Sequence, residues 1–107
     1  MAQWVDVVNT DQVPEGEKRC ILAMNVPLVI CRVAGNWFAL KNVCPHAGLP
    51  LGEGPLHGHV LTCPFHGYTY NIRNGRNIDW PHDELPVKTY PVRVDGNHVQ
   101  VNLTPDD

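Results

Sequence analysis

The 107-residue sequence has no long apolar run, no basic run and no stretch with helical periodicity. It therefore lacks a candidate membrane-spanning helix, and residues 1–6 lack the positive start and apolar stretch of an export signal. We expect a cytoplasmic protein that does not bind membranes. Eight Lys and Arg against 11 Asp and Glu give a formal net charge of -3. Without basic residues to follow a phosphate backbone, we expect no binding to nucleic acid.

The length and a hydrophobic fraction of 43% fit one globular domain with a modest core. The sequence shows no linker, internal repeat or low-complexity tract, so we expect a single domain over residues 1–107 rather than a two-domain enzyme. The chain contains ten Pro and nine Gly, and its apolar runs are short and separated by turn residues. This pattern predicts an all-β fold.

The predicted strands are residues 4–8, 19–23, 28–33, 37–40, 60–62, 68–72, 90–94 and 98–103. The Asp95-Gly96 pair accepts the positive φ angles of a tight turn and predicts a hairpin between the last two strands. This hairpin would place four apolar side chains on its buried side: Val92, Val94, Val99 and Val101. Residues 42–83 differ in composition from the rest of the chain, since they are rich in His, Gly and Pro. This composition predicts an inserted, loop-built subdomain.

Two short motifs in that region supply metal-binding side chains. Cys-Pro-His at residues 44–46 is followed, after sixteen residues, by Cys-Pro-Phe-His at residues 63–66. Each motif offers one thiolate and one imidazole, so Cys44, His46, Cys63 and His66 are the candidate ligands of one metal centre. Two thiolates and two imidazoles could hold a tetrahedral zinc ion. Zinc modules usually keep both cysteines together, however, whereas one Cys and one His in each loop is the arrangement of a Rieske [2Fe–2S] cluster.

The sequence resembles the Rieske ferredoxins and the Rieske domains of ring-hydroxylating oxygenases. The resemblance implies an antiparallel β-sandwich or barrel with an inserted cluster-binding subdomain. It also implies that Cys44 and Cys63 bind the inner iron, and His46 and His66 the outer iron. The segments that carry the resemblance are residues 44–48, 51–54, 60–70 and 75–76, with weaker similarity over residues 85–94 and the closing hairpin.

What the resemblance implies for function is one-electron transfer from a ferredoxin reductase to a terminal oxygenase of the aromatic-ring-hydroxylating type. The protein would perform no bond chemistry of its own and would work as a monomer. An alternative is a small Rieske subunit bound permanently to a larger redox enzyme, such as an assimilatory nitrite reductase. Transient docking is expected near six residues: His46, His66, Leu49, Pro50, Trp80 and Pro81.

Two features bear on the reduction potential and on the Trp80 segment. High-potential Rieske proteins place a Ser two residues and a Tyr four residues after the second His ligand, and both donate hydrogen bonds. Here Tyr68 replaces the Ser and Tyr70 retains the second donor, which favours a low potential. Trp80-Pro81 lies where related ferredoxins have a loop that shields the cluster, so Trp80 is either a cover that contacts the partner or a packed loop aromatic.

The remaining Cys and His residues have simpler interpretations. A turn at Asn25-Val26 would make Cys20 and Cys31 direct neighbours on adjacent strands, where we expect buried thiols rather than a disulfide. His57 and His59 flank a glycine, which indicates an exposed hairpin tip rather than a second metal site.

Overall fold

The computed structural model describes residues 3–45, 48–65, 67–82 and 84–103. They form ten strands and one 3₁₀ turn at Thr10–Gln12, which confirms the all-β prediction. No helix within these ranges is long and apolar enough to cross a membrane. The strands are β1 (Trp4–Asn9), β2 (Lys18–Ala23), β3 (Val26–Val33), β4 (Asn36–Lys41), β5 (Leu56–His57), β6 (Val60–Thr62), β7 (Thr69–Asn71), β8 (Thr89–Tyr90), β9 (Val92–Asp95) and β10 (His98–Asn102).

The strands pair into three antiparallel sheets. Two of them, with strand orders β1-β10-β9 and β2-β3-β4-β8, make the base of the molecule. The third sheet, β5-β6-β7, is formed by chain that leaves the second sheet after β4 and returns to it at β8. The insertion predicted from the change in composition is therefore a small sheet with its own loops.

Strand β3 is buried on both faces, which explains why its sequence is almost continuously apolar. Because side chains alternate along a strand, its residues divide between two cores. Leu28 and Ile30 pack with Val99 and Val101 in the core between the basal sheets. The alternate residues pack beneath the inserted sheet, in a core that contains Val29, Cys31, Val33, Leu51, Leu61 and Tyr70.

The turn between β2 and β3 lies one residue earlier than predicted. Met24 and Asn25 adopt the positive φ angles, 49° and 66°, because a turn at residues 25 and 26 would force the β-branched Val26 into that unfavourable region. The register consequently pairs Cys20 with Val29 and Cys31 with Lys18. The prediction that the two cysteines are direct cross-strand neighbours is therefore wrong.

The two thiols also differ in environment. Cys31 is fully buried, and burial raises its pKa to about 12. Cys20 is exposed on β2, so the prediction of a buried thiol is wrong for this residue. Neither cysteine forms a disulfide.

The closing hairpin has its turn at Gly96 and Asn97, with Asp95 paired to His98. Val99 and Val101 are fully buried, as predicted, whereas Val94 is 45% exposed at the end of the hairpin. The predicted strand over residues 90–94 is interrupted at Pro91, which has no N–H to donate. There the chain passes from β8, paired with β4, to β9, paired with β10.

We predict that Leu28→Ala lowers the free energy of unfolding by about 2–5 kcal/mol, because it leaves a cavity in a fully buried core position. Leu22→Ala is the matched control, since Leu22 is 70% exposed on the neighbouring strand, and we expect a change within about 0.5 kcal/mol. Urea denaturation measures both values. Equal losses for the two variants would contradict the assignment of this core.

Candidate metal centre

The first candidate ligand loop begins at Cys44, shortly after β4. The Cys44 amide donates to the Leu49 carbonyl oxygen at 2.9 Å, and the Gly48 amide donates to the Cys44 carbonyl oxygen at 2.8 Å. Gly48 has a φ angle of 66°, in the left-handed region that glycine adopts at little cost. These two hydrogen bonds close the loop between Cys44 and Leu49.

The second loop begins at Cys63, directly after β6, and repeats the same hydrogen bonds. The Cys63 amide donates to the Tyr68 carbonyl oxygen at 2.7 Å, and the Gly67 amide donates to the Cys63 carbonyl oxygen at 3.0 Å. Gly67 also has a left-handed φ angle, 73°. The two loops therefore share the same closing hydrogen bonds, with Cys-Pro at the start and Gly four residues after the Cys, a repeat that is visible in the sequence.

Both cysteines are fully buried and belong to the core beneath the inserted sheet. The Tyr70 hydroxyl lies 4.0 Å from the Cys44 Sγ atom, and Tyr70 is also fully buried. Burial raises the pKa of Tyr70 well above its usual value, and nearby Cys44 and, to a smaller extent, Cys63 raise it further. Tyr70 therefore presents a neutral hydroxyl next to the candidate ligand Cys44, and this hydroxyl can donate a hydrogen bond once Cys44 is a thiolate.

The segment between the two loops packs tightly against the second one. A Cβ atom at Gly54 would overlap the carbonyl oxygen of Thr62, which is the last residue before Cys63. A Cβ at Gly52 would lie 2.5 Å from the Cys20 Sγ atom. Glycine at position 54 permits the close approach to the backbone of Thr62, and glycine at position 52 leaves room for the side chain of Cys20 on β2.

The predicted ligands His46 and His66 lie outside the described residues. The described parts of the site fit a [2Fe–2S] cluster on the side of the inner iron, since two buried thiols stand at equivalent positions of two short, hydrogen-bonded loops. A neutral tyrosine hydroxyl beside one thiol suits a thiolate ligand, because O–H donors stabilise negative charge on sulfur.

Apolar side chains near the loops are unusually exposed. Leu49 in the first loop is 43% exposed, and Trp80 is 50% exposed. Pro50 is exposed and Pro81 is half-buried. The sequence interpretation missed Phe65, which is 47% exposed although it follows the Cys-Pro pair of the second loop.

Trp80 contacts the second loop directly. Its ring lies edge-to-face against the Tyr68 ring, with 6.1 Å between the ring centroids. The Oδ1 atom of Asn77 accepts hydrogen bonds from the backbone amides of Asp79, at 3.0 Å, and Trp80, at 2.9 Å. The sequence interpretation did not single out Asn77, although an Asn that precedes such a loop is a recognised signal of a side-chain-stabilised turn.

His57 and His59 lie on either side of Gly58, at the tip of the hairpin between β5 and β6, as predicted. The Arg73 guanidinium is 3.0 Å from the His59 Nδ1 atom, and the His59 ring packs edge-to-face on Phe38. These contacts give His59 a structural role at the surface of the inserted sheet.

Comparison with known proteins agrees with this geometry. The model of the Rieske [2Fe-2S] domain family matches residues 3–91. The chain is 29% identical over 102 residues to the ferredoxin component of the naphthalene 1,2-dioxygenase system of Pseudomonas aeruginosa, covering 95% of this chain and 97% of the relative. It is 30% identical over 103 residues to the anthranilate 1,2-dioxygenase ferredoxin subunit of Burkholderia cepacia, covering 96% and 94%.

Solved structures show the same likeness. A chain from the complex of reduced oxygenase and oxidized ferredoxin in carbazole 1,9a-dioxygenase has a TM-score of 0.84 and 30% identity, with 92% of each chain covered. The nitrite reductase small subunit from Mycobacterium tuberculosis has a TM-score of 0.85 and covers 97% of each chain. At 20% identity, this second likeness shows a shared fold alone.

The chain belongs to the Rieske [2Fe–2S] family, whose cluster is bound by two cysteines and two histidines. Its role is electron transfer, as in the ferredoxin components that it resembles, and not catalysis of its own.

We predict that Tyr70→Phe lowers the reduction potential, because the hydroxyl near the Cys44 sulfur stabilises the additional negative charge of the reduced state. Loss of about 1 kcal/mol of hydrogen-bond energy corresponds to about 40 mV for one electron. Tyr90→Phe, in the basal core, is the control and should leave the potential unchanged. A redox titration monitored by electron paramagnetic resonance measures both. An unchanged potential in Tyr70→Phe would contradict the assigned donor role.

Proposed function

We propose that Cys44, His46, Cys63 and His66 are the ligands of the cluster. The support comes from the two loops, which repeat the same hydrogen bonds and place both cysteines in the buried core. His46 follows Cys44 by two residues, and His66 follows Cys63 by three, the spacing from which the sequence predicted the ligands. The bound cluster supplies one-electron redox chemistry, for which Rieske centres span roughly -150 to +300 mV.

We propose that the electron comes from a ferredoxin reductase and passes to a terminal oxygenase of the aromatic-ring-hydroxylating type. The observation that carries the docking part of this proposal is the exposure of three apolar side chains on and beside the ligand loops, those of Leu49, Phe65 and Trp80. Exposed apolar patches of this kind are typical of protein docking surfaces. The relatives named as ferredoxin components of dioxygenase systems support the same assignment.

The protein residues contribute binding and positioning. A partner docks near Leu49, Pro50, Trp80 and Pro81, on the side of the centre that we assign to the ligands His46 and His66. Such a contact is small, which suits an electron carrier that must dissociate after each transfer. The two glycine-containing loops keep the ligands in place between the two redox states, because their hydrogen bonds are made within each loop.

The remaining assignments follow from the same interpretation. Residues 1–107 form one domain, and residues 42–83 are its cluster-binding part. The protein works in the cytoplasm as a monomer, where its free thiols Cys20 and Cys31 remain reduced. Tyr68 takes the position at which high-potential Rieske proteins have a serine donor, so the potential lies in the lower part of the family range.

We predict that replacing any of the four ligands by Ala abolishes the cluster. Wild-type protein should be red-brown and, once reduced, should give a rhombic Rieske signal in electron paramagnetic resonance. Each ligand variant should lose both properties. His57→Ala is the matched control, since His57 is an exposed histidine of the same inserted sheet, and it should retain both. A colourless wild-type protein that contains zinc would overturn the iron–sulfur assignment.

We predict that Trp80→Ala slows electron delivery to a terminal oxygenase about tenfold, because a half-exposed aromatic at a docking surface is a typical binding hot spot. The oxygenase of carbazole 1,9a-dioxygenase is the probe, and stopped-flow absorption measures the second-order rate. Val94→Ala is the control. Val94 is 45% exposed on the β1-β10-β9 sheet, which carries no ligand loop. Equal rates for Trp80→Ala and wild type would exclude Trp80 from the docking surface.

A further inference from the structure

Asn77 is the one buried polar residue among the described parts of the chain, with a relative exposure of 1%. Its backbone is bridged to Tyr70 of strand β7, and the Ile78 amide donates to the Thr69 carbonyl oxygen at 2.9 Å. A buried amide side chain costs free energy unless it makes hydrogen bonds. Asn77 therefore occupies a position that an apolar residue would fill at lower cost, unless its polar atoms have a specific task.

The Oδ1 atom performs one such task at the start of the Trp80 segment. It accepts hydrogen bonds from two consecutive backbone amides, Asp79 and Trp80. The Trp80 carbonyl oxygen in turn accepts from the Glu84 amide at 3.1 Å. The segment is thus held from the buried Asn77 side chain, although most of its own side chains are exposed.

The Nδ2 atom at the other end of the Asn77 amide is buried. The backbone bridge between Asn77 and Tyr70 makes the two residues neighbours. The Asn77 side chain also opposes the rise in the pKa of Tyr70 through a hydrogen bond. Tyr70 in turn lies beside Cys44, so Tyr70 is the residue that connects Asn77 to a proposed ligand.

The contact that Asn77 holds in place involves the second ligand loop. The Trp80 ring packs against Tyr68, whose carbonyl oxygen accepts the hydrogen bond from the Cys63 amide. We infer that Asn77 is a positioning residue for the cluster site: by holding the backbone of residues 79–80, it keeps Trp80 against the second ligand loop. Trp80 in this position limits the access of water to the cluster and so helps to set its reduction potential.

This inference rests on the proposed ligand set. It predicts the direction in which the reduction potential changes. The reduced cluster carries one more negative charge than the oxidised cluster, and water stabilises that charge. Solvent exposure is one of the factors that set the potential of an iron–sulfur cluster. Release of the Trp80 segment therefore raises the potential, whereas a negative charge introduced beside Tyr70 lowers it.

Three variants of the full-length protein separate the roles of the Asn77 side chain. Asn77→Ala removes the acceptor, and Asn77→Asp keeps an acceptor oxygen at the same position. Asn74→Ala is the matched control, because Asn74 Oδ1 also accepts from a nearby backbone amide, that of Arg76, but the residue is exposed. Hydrogen exchange of the peptide covering residues 78–82, followed by mass spectrometry, measures how firmly the segment is held.

We expect exchange in this peptide to be at least about tenfold faster in Asn77→Ala, which removes both hydrogen bonds to Oδ1, since a net loss of about 1.4 kcal/mol corresponds to a factor of ten. Asn77→Asp and Asn74→Ala should exchange at wild-type rates. The midpoint potential, from a redox titration monitored by electron paramagnetic resonance, should be highest in Asn77→Ala and lowest in Asn77→Asp. Asn74→Ala should match the wild type.

Wild-type exchange in Asn77→Ala would show that Oδ1 does not hold the segment and would overturn the inference. Faster exchange with an unchanged potential would overturn the link to the cluster. If Asn77→Ala does not fold, the exchange of Asn77→Asp tests the hold on the segment: wild-type exchange supports Oδ1 as the acceptor, and faster exchange contradicts it. A wild-type protein that binds no [2Fe–2S] cluster would instead refute the proposed ligand set, while the exchange measurement would still test the hold on residues 78–82.

Discussion

The burial of strand β3 on both faces is the constraint on which the rest of the structure depends. One set of its alternating side chains, including Leu28 and Ile30, closes the core between the basal sheets. The other set, including Val29 and Cys31, supports the core in which Cys44 and Cys63 are buried. A shift of β3 by one residue would exchange these two sets, so the same register fixes the base of the molecule and the floor of the metal centre.

The site itself is built from two loops that close with equivalent hydrogen bonds. Each loop closes on itself through a hydrogen bond from the Cys amide and another from the Gly amide four residues later. The absence of a side chain at Gly54 lets the chain after the first loop approach Thr62, directly before the second loop. The centre therefore combines a buried, apolar inner side with an outer side where Leu49 and Trp80 are exposed. This arrangement suits an electron carrier, since the buried thiols are protected from water and the exposed side is open to a partner.

Much of this architecture was predictable from local sequence signals. The strands, the inserted region and the ligand motifs depend on the alternation of apolar residues, on composition and on the spacing of Cys and His. The predictions that were wrong concern features that depend on how neighbouring strands pair. The β2–β3 turn lies one residue earlier than predicted, because a positive φ angle is unfavourable for the β-branched Val26. In the resulting register, Cys20 and Cys31 are not paired. The strand over residues 90–94 divided at Pro91 because its two halves pair in different sheets.

The sequence by itself determined the fold class, the ligand chemistry and the family, because a one-Cys, one-His pair in each of two glycine-containing loops has few other uses. The tertiary structure alone decided which side chains surround that centre. Phe65 is exposed, Tyr70 faces Cys44, and Asn77 is buried beneath the Trp80 segment. These relations join residues from different strands and loops. They depend on sheet pairing and packing, which the local pattern of residues does not encode.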